Sequence, residues 1–286
     1  FMLLPSPGVV LRDMFEYADG SLTTNSGDRW RTHSGTAGQA QIAGGALLLT
    51  SSQSEDVNAL LIGGPYRTNS GATLYASFNV TFSALPNDDG DYFAHFRDTS
   101  GSFRARLFAS TTNAPLGSFR LGIANNSAQL ANSVTLERDL SIDTAYLVLI
   151  RYDVAAGVST LWVDPKGASD PGVTATDNLS PTPIGSFAFR ESGGVGDLRV
   201  DNLVVGLSFQ DVMPGYRIRL EASETGPRIS WPLAAEFEGY ALEGTTSLVM
   251  PDWRSVTDAT TVIGDRVFFP LPAAGPDSMV FYRLRK

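Results

Sequence analysis

The chain has 286 residues, 43% of them hydrophobic and 18% charged, with a formal net charge of −9 and no cysteine. That length and apolar content support one large β domain or two domains with packed cores and exclude wholesale disorder. The acidic balance argues against nucleic acid or an anionic membrane as partner, and the lack of cysteine excludes disulfides, thiol nucleophiles and Cys-bound metals.

The first segment reads FMLLPSPGVVL. Phe1 is not a translation start, so the chain is expected to be a processed mature protein or a fragment, processing being the simpler reading. Phe1, Met2, Leu3 and Leu4 form an apolar patch that a solvated tail would not carry. Two hosts are open for it: an edge of its own sheet, or the sheet of another molecule reached across the Pro5–Gly8 hinge. The second option gives head-to-tail contacts that can grow a filament. No apolar run approaches the roughly 20 residues of a membrane-spanning helix.

Gly and Pro count 28 and 16, which sets turns rather than long helices as the rule. The stretch SEDVNALLIGG ends at Gly63-Gly64 and is read as a single helical turn or a strand. Residues 74–83 alternate strictly, with Leu74, Ala76, Phe78, Val80 and Phe82 on one face, as in a half-buried strand. The same period sets Tyr92, Ala94 and Phe96 against Phe93, His95 and Arg97, then Phe103, Ala105 and Leu107 against Arg104 and Arg106. Phe119, Leu121 and Ile123 oppose Arg120. The segment TAYLVLIRYDV is apolar on both faces, as a central strand covered on both sides would be. Past residue 210 about six further strands follow, with Trp231 and Trp253 as candidate core residues.

Short strands at turn-punctuated spacing mean a sandwich or barrel, an all-β fold. The stretches FEYADGSL, SGTAGQAQIAGGALLLT, TLYASFNVTFSALP, DYFAHFRD, STLWVDP and GDLRVDNLVVG resemble the concanavalin A-like, laminin-G-like jelly-roll domains of large secreted bacterial proteins. The tail, with RISWP, GYALEGTTSL, PDWRSVT and VFYRLRK, is similar to the β-sandwich modules that end such proteins. The expected organisation is an N-terminal extension over 1–10, a concanavalin A-like jelly roll over 11–209, and a small immunoglobulin-like β-sandwich over 210–286.

Candidate chemistry is sparse. Glycoside hydrolysis needs two carboxyl groups roughly 5–10 Å apart, and the jelly-roll half carries no Glu-x-Asp-x-x-Glu run. Glu236 and Glu238 are suitably spaced but sit in the tail, in a loop before GYALE. His33 and His95 are the only histidines, too few for a zinc set, and His33-Ser34 is expected in a turn. No nucleophile elbow, Walker loop or dinucleotide fingerprint occurs. Asn87, Asp88, Asp89 and Asp91 crowd one hairpin loop and make Ca2+ the single candidate cofactor; the competing reading is a polar turn. His95, Arg97, Arg104, Arg106 and Arg120 fall opposite the apolar sets, a candidate binding face for sugars or acidic groups, with Tyr75, Phe93 and Trp162 available for stacking. The competing reading is a solvated face of exposed ion pairs.

The sequence therefore reads as a secreted or cell-surface, non-catalytic structural protein that associates with itself through Phe1–Leu4. Carbohydrate binding is the alternative, and a hydrolase the third.

Overall fold

The computed structural model describes residues 8–213, 218–223, 226–237, 239–258, 260–264, 266–271 and 279–285. The chain divides into two compact units, Phe1–Met213 and Pro214–Lys286. In the first, the strands in chain order are β1 (Val9–Asp13), β2 (Gly20–Ser21), β3 (Trp30–Ser34), β4 (Gln41–Ala43), β5 (Ala46–Leu49), β6 (Asp56–Leu60), β7 (Thr73–Ala84), β8 (Asp91–Arg97) and β9 (Phe103–Ser110). They continue as β10 (Ser118–Ala124), β11 (Val134–Thr135), β12 (Leu140–Ser141), β13 (Ala145–Asp153), β14 (Val158–Val163), β15 (Val173–Thr174), β16 (Ser186–Arg190) and β17 (Asp197–Gly206).

Two antiparallel sheets result. The larger runs β15-β14-β13-β7-β17-β5-β4-β2 with β1 paired to β17, and the smaller runs β11-β10-β9-β8-β16-β6-β3 with β12 paired to β10. Strands distant in sequence are neighbours, as in a jelly-roll sandwich. The chain is all-β, as the alternation predicts, and SEDVNALLIGG supplies a strand, β6. The strand after the hinge, Val9–Asp13, pairs with β17 of its own sheet; Phe1–Leu4 lie outside the described residues.

Period-2 side chains from both sheets meet in one apolar interior. Its centre is aromatic: Phe82 stacks on Phe119 with centroids 4.4 Å apart, and Phe78 meets Phe189 edge-on at 5.3 Å. The buried Asp13 has its oxygens satisfied: Phe15 N donates to it at 2.8 Å, Tyr17 Oη at 2.6 Å and Trp30 Nε1 at 2.8 Å, with Arg29 Nε 3.1 Å away. The strand read as covered on both sides is β13, between β7 and β14. Leu149 on its outer side is buried beneath the short helix Phe209–Val212, together with Trp162 and Val204.

The second unit builds a four-stranded sheet from Arg219–Ser223, Gly226–Pro232, Arg266–Pro270 and Thr261–Ile263, and a three-stranded one from Arg254–Ser255, Ala241–Thr245 and Phe281–Arg285. Ile229, Trp231, Leu242, Val267 and Phe269 fill its core. Trp253, read as a second core residue, is instead half-buried under the Arg283 guanidinium, 4.1 Å from its ring. Glu236, read as a loop residue, lies on the short helix Leu233–Phe237, and Glu238 lies outside the described residues.

Candidate functional site

The outer face of the smaller sheet carries the chemistry, and two β-bulges decide which side chains reach it. Between β8 and β9, Tyr92 opposes Phe108 and Ala94 opposes Leu107, so Phe93 is an extra residue on β8. Ala94 then opposes Leu107 while Phe96 opposes Arg104, so β9 holds an extra residue in turn, around Ala105 at φ 51°. Each extra residue inverts the alternation on one side of it. The sequence period is corrected accordingly. Phe93 is fully buried in the interior, while Tyr92 packs outside with Phe108 and Ala124. Phe103 also turns outward, and Arg104 leaves the face. Its Nε donates to Ser180 O at 2.5 Å and its Nη2 to Ser180 Oγ at 2.9 Å, beside the buried Tyr152. Arg104 is thus a buried brace, neither on the candidate binding face nor in an exposed ion pair.

Around His95 the face is crowded and cationic. The imidazole is fully buried, with the Phe103 ring stacked on it at 4.0 Å and the Tyr92 ring edge-on at 5.6 Å. His33 stands 6.1 Å away, on strand β3 rather than in the expected turn. Arg106 lies over both Tyr92 (5.0 Å) and Phe103 (5.3 Å), and Arg190 over Tyr92 at 4.4 Å. Burial, then the neighbouring charges of His33, Arg106, Arg190 and Arg97, hold His95 well below the usual histidine range. Burial and Arg97 bring His33 down to about 4.

Sequence spacing misses one feature of this face. Arg190 on β16 pairs with Asp91 on β8 at 2.7 Å and with Asp56 on β6 at 3.7 Å. Three strands bring the two acids to one guanidinium, which no linear motif could show. Burial raises Asp56 to about 6 although Arg190 opposes the shift. Asp91 also accepts from the Ser192 hydroxyl and from Tyr92 N at 2.8 Å.

Beside the Tyr92–Phe108 pair, whose rings are 5.6 Å apart, the sheet opens into a groove of about 700 Å³. Asp88, Asp89 and Asp91 form one wall, Gln129, Leu130 and Ser133 the other, and Phe108, Ser110, Arg120 and Gly122 the floor. Gly122 keeps that floor low: a Cβ there would meet Ser133 Oγ at 3.0 Å. Arg120 is braced by Asp139, Nε to Oδ1 2.6 Å. Leu130 closes one end against the apolar side chains of the face. Of the arginines read as a binding set, Arg120 lines the groove, Arg97 and Arg106 surround His95, and Arg104 does neither.

The loop read as a cation site does not gather its oxygens. Asn87 Nδ2 donates to Gly193 O at 3.2 Å, Asp88 Oδ1 caps Asp89 N at 3.0 Å, and Asp91 is held by Arg190. Among the described residues no group of three or more His, Asp or Glu side chains is placed to hold a metal ion.

No protein-family model and no curated protein matches this chain. Solved structures match in part. A sialidase is 17% identical over 70% of this chain and 19% of its own, with a TM-score of 0.44. The CBM2 module of the evolved Dit of Lactobacillus casei BL23 phage J-1 is 14% identical over 70% of this chain and 95% of its own, TM-score 0.44. The Emp47p carbohydrate recognition domain is 14% identical over 72% of this chain and 100% of its own, TM-score 0.41. Likenesses this partial transfer no activity; what the face can do follows from its own side chains.

Proposed function

We propose that the outer face of the smaller sheet binds a glycan. The supporting observation is the open groove of about 700 Å³, lined by carboxylates, an arginine, an amide and hydroxyls together with the apolar Phe108 and Leu130. A sugar ring offers the complement: hydroxyls that donate and accept around its edge and apolar C–H faces. An open groove suits a chain of sugars better than a small enclosed metabolite. The groove's acids, Asp88, Asp89 and Asp91, all lie on one wall, and Asp91 is engaged by Arg190, so retention without cleavage is the outcome we favour.

The test is retention of the full chain on a glycan array, with reducing-end release measured on every glycan retained. Wild-type binding that Arg120→Ala weakens about tenfold or more, without product release, supports the proposal. Absence of retention on any glycan refutes it, and turnover abolished by Asp91→Asn replaces it with a hydrolase. A secreted or cell-surface setting, and an immunoglobulin-like role for the tail as a spacer, belong to the same proposal. Self-association rests on Phe1–Leu4, outside the described residues, and no feature of the face favours it.

A further inference from the structure

The cations around His95 are not balanced by the protein itself. Arg190 has Asp91 and Asp56, but among the described residues Arg97 and Arg106 have no carboxylate within 4.0 Å. Their Nε atoms are buried and unpartnered, as are both ring nitrogens of the fully buried His95. In a chain of net charge −9, two guanidinium groups with no carboxylate partner, crowded against an imidazole with unpartnered nitrogens, form a local excess of positive charge. Each unmade hydrogen bond at a buried atom costs free energy that a bound acceptor would recover. Phe103 lies over this spot, on His95 at 4.0 Å and on His33 at 5.7 Å, with Tyr92 edge-on to His95 at 5.6 Å, and Phe103 is itself only partly buried. Side-chain rotation of that kind takes nanoseconds at a surface.

We propose that the patch around His95 is an anion subsite that gives the groove its selectivity for acidic glycans. A carboxylate or sulfate carried on the sugar is received by Arg97, Arg106 and the His95 imidazole when the Phe103 ring turns aside. This rests on the glycan-binding reading, since the patch adjoins the groove through the Tyr92–Phe108 pair. Arg97 and Arg106 supply charge-assisted donors that a neutral sugar cannot use. Asp56 and Asp91, the acids facing the same spot, are spent on Arg190 and do not compete.

The test is calorimetric titration of the full chain with three tetrasaccharides: neutral, uronic-acid-bearing and sulfated. The two imidazoles, the only ones in the chain, are followed by NMR in the same samples. At low salt an acidic arm should bind at least tenfold more tightly than the neutral one, and the advantage should shrink as salt is added. Its binding should shift the titration of His95 and His33 to higher pH, because a nearby anion favours the protonated ring. Arg97→Gln and Arg106→Gln should each cost the acidic arm about tenfold and the neutral arm nothing, and Phe103→Ala should tighten the acidic arm. Whether the uronate or the sulfate arm wins identifies the source of the anion. Equal affinity for neutral and acidic sugars overturns the subsite and leaves the groove reading standing; no binding in any arm overturns both. If the arginine variants fail to fold, the wild-type preference and imidazole shifts decide.

Discussion

Raising the pH from 5 to 8 should remove what the buried Glu191 contributes to the larger unit. Glu191, which follows β16, is 3% exposed and lies against Glu55 and Asp56. Burial first, then repulsion from those two carboxylates, pushes it from the usual 4.5 up to about 7, although Thr50 N and Glu55 N each donate to it at 3.2 Å. A carboxyl that titrates higher in the fold than in the unfolded chain stabilises while protonated. Its contribution is complete below pH 4.5 and lost as pH climbs through 7. At 1.36 kcal/mol per pH unit that loss is about 3 kcal/mol. Asp56, raised to about 6 mainly by burial, acts in the same direction, but the two share their mutual repulsion, so their sum is less than twice that figure. His33 and His95, held low chiefly by burial, act oppositely inside this window, since the penalty for charging them disappears as pH rises through 6.5; Asp98 acts oppositely outside it. Burial alone would raise it, but hydrogen bonds from Ser100, Ser102 and Thr182 hold it at about 2, so its contribution fades only in acid. Urea unfolding of the full chain followed by tryptophan fluorescence at pH 5, 6, 7 and 8 should show the wild type losing about 3 kcal/mol relative to Glu191→Gln across the series. The variant should start about 1 kcal/mol behind at pH 5, for one weakened hydrogen bond. A difference between the two profiles that does not change with pH would refute the reasoning.

Phe82→Ala should destabilise by about 3–5 kcal/mol, since the ring is fully buried between Phe93 and Phe119 and its loss leaves a cavity; a loss under 1 kcal/mol in urea would contradict the packing described. Asp98→Ala should cost about 2–3 kcal/mol and remove the acid limb of the stability profile, because Ser100 N, Gly101 N and Ser102 N all donate to one of its oxygens at 2.7–2.8 Å; an unchanged acid limb would count against that account. Chelation should leave the melting temperature unchanged, given the dispersed oxygens of residues 87–91; a fall of several degrees would restore calcium by mass action. Self-association through Phe1–Leu4 predicts particles in light scattering that deletion of residues 1–8 abolishes, and a monodisperse monomer at high concentration would refute it.

Fold class was legible because burial on one sheet face writes itself as alternation. Residues 74–83 give β7 with its inward set intact, and the two-faced apolarity of TAYLVLIRYDV matches a strand packed inside and also roofed by Phe209 and Val212. The arginine-bearing face was legible in outline for the same reason, since polar residues opposite an apolar set have one place to go. What stayed hidden is whatever depends on strands far apart in sequence. Asp56, Asp91 and Arg190 come from three strands, and only the β6-β16-β8 order joins them.

The errors of face assignment fall together, on β8 and β9, and that has a physical cause. A period-2 argument holds only while each residue advances the pleat by one step, and an unpaired extra residue breaks it without leaving a Gly or Pro to mark the break. Phe93 and Ala105 are such residues, and both look in sequence like ordinary members of an alternating strand. Their effect is specific. Each bulge turns one aromatic ring, Tyr92 or Phe103, out of the interior and onto the polar face, beside His95 and Arg106. A regular pairing would have kept both rings in the core and left the arginines in water, where ion pairs contribute little. The irregular pairing instead gives the cations rings to lie on. The two places where alternation fails are therefore the two that make this face chemically unlike the rest of the sheet.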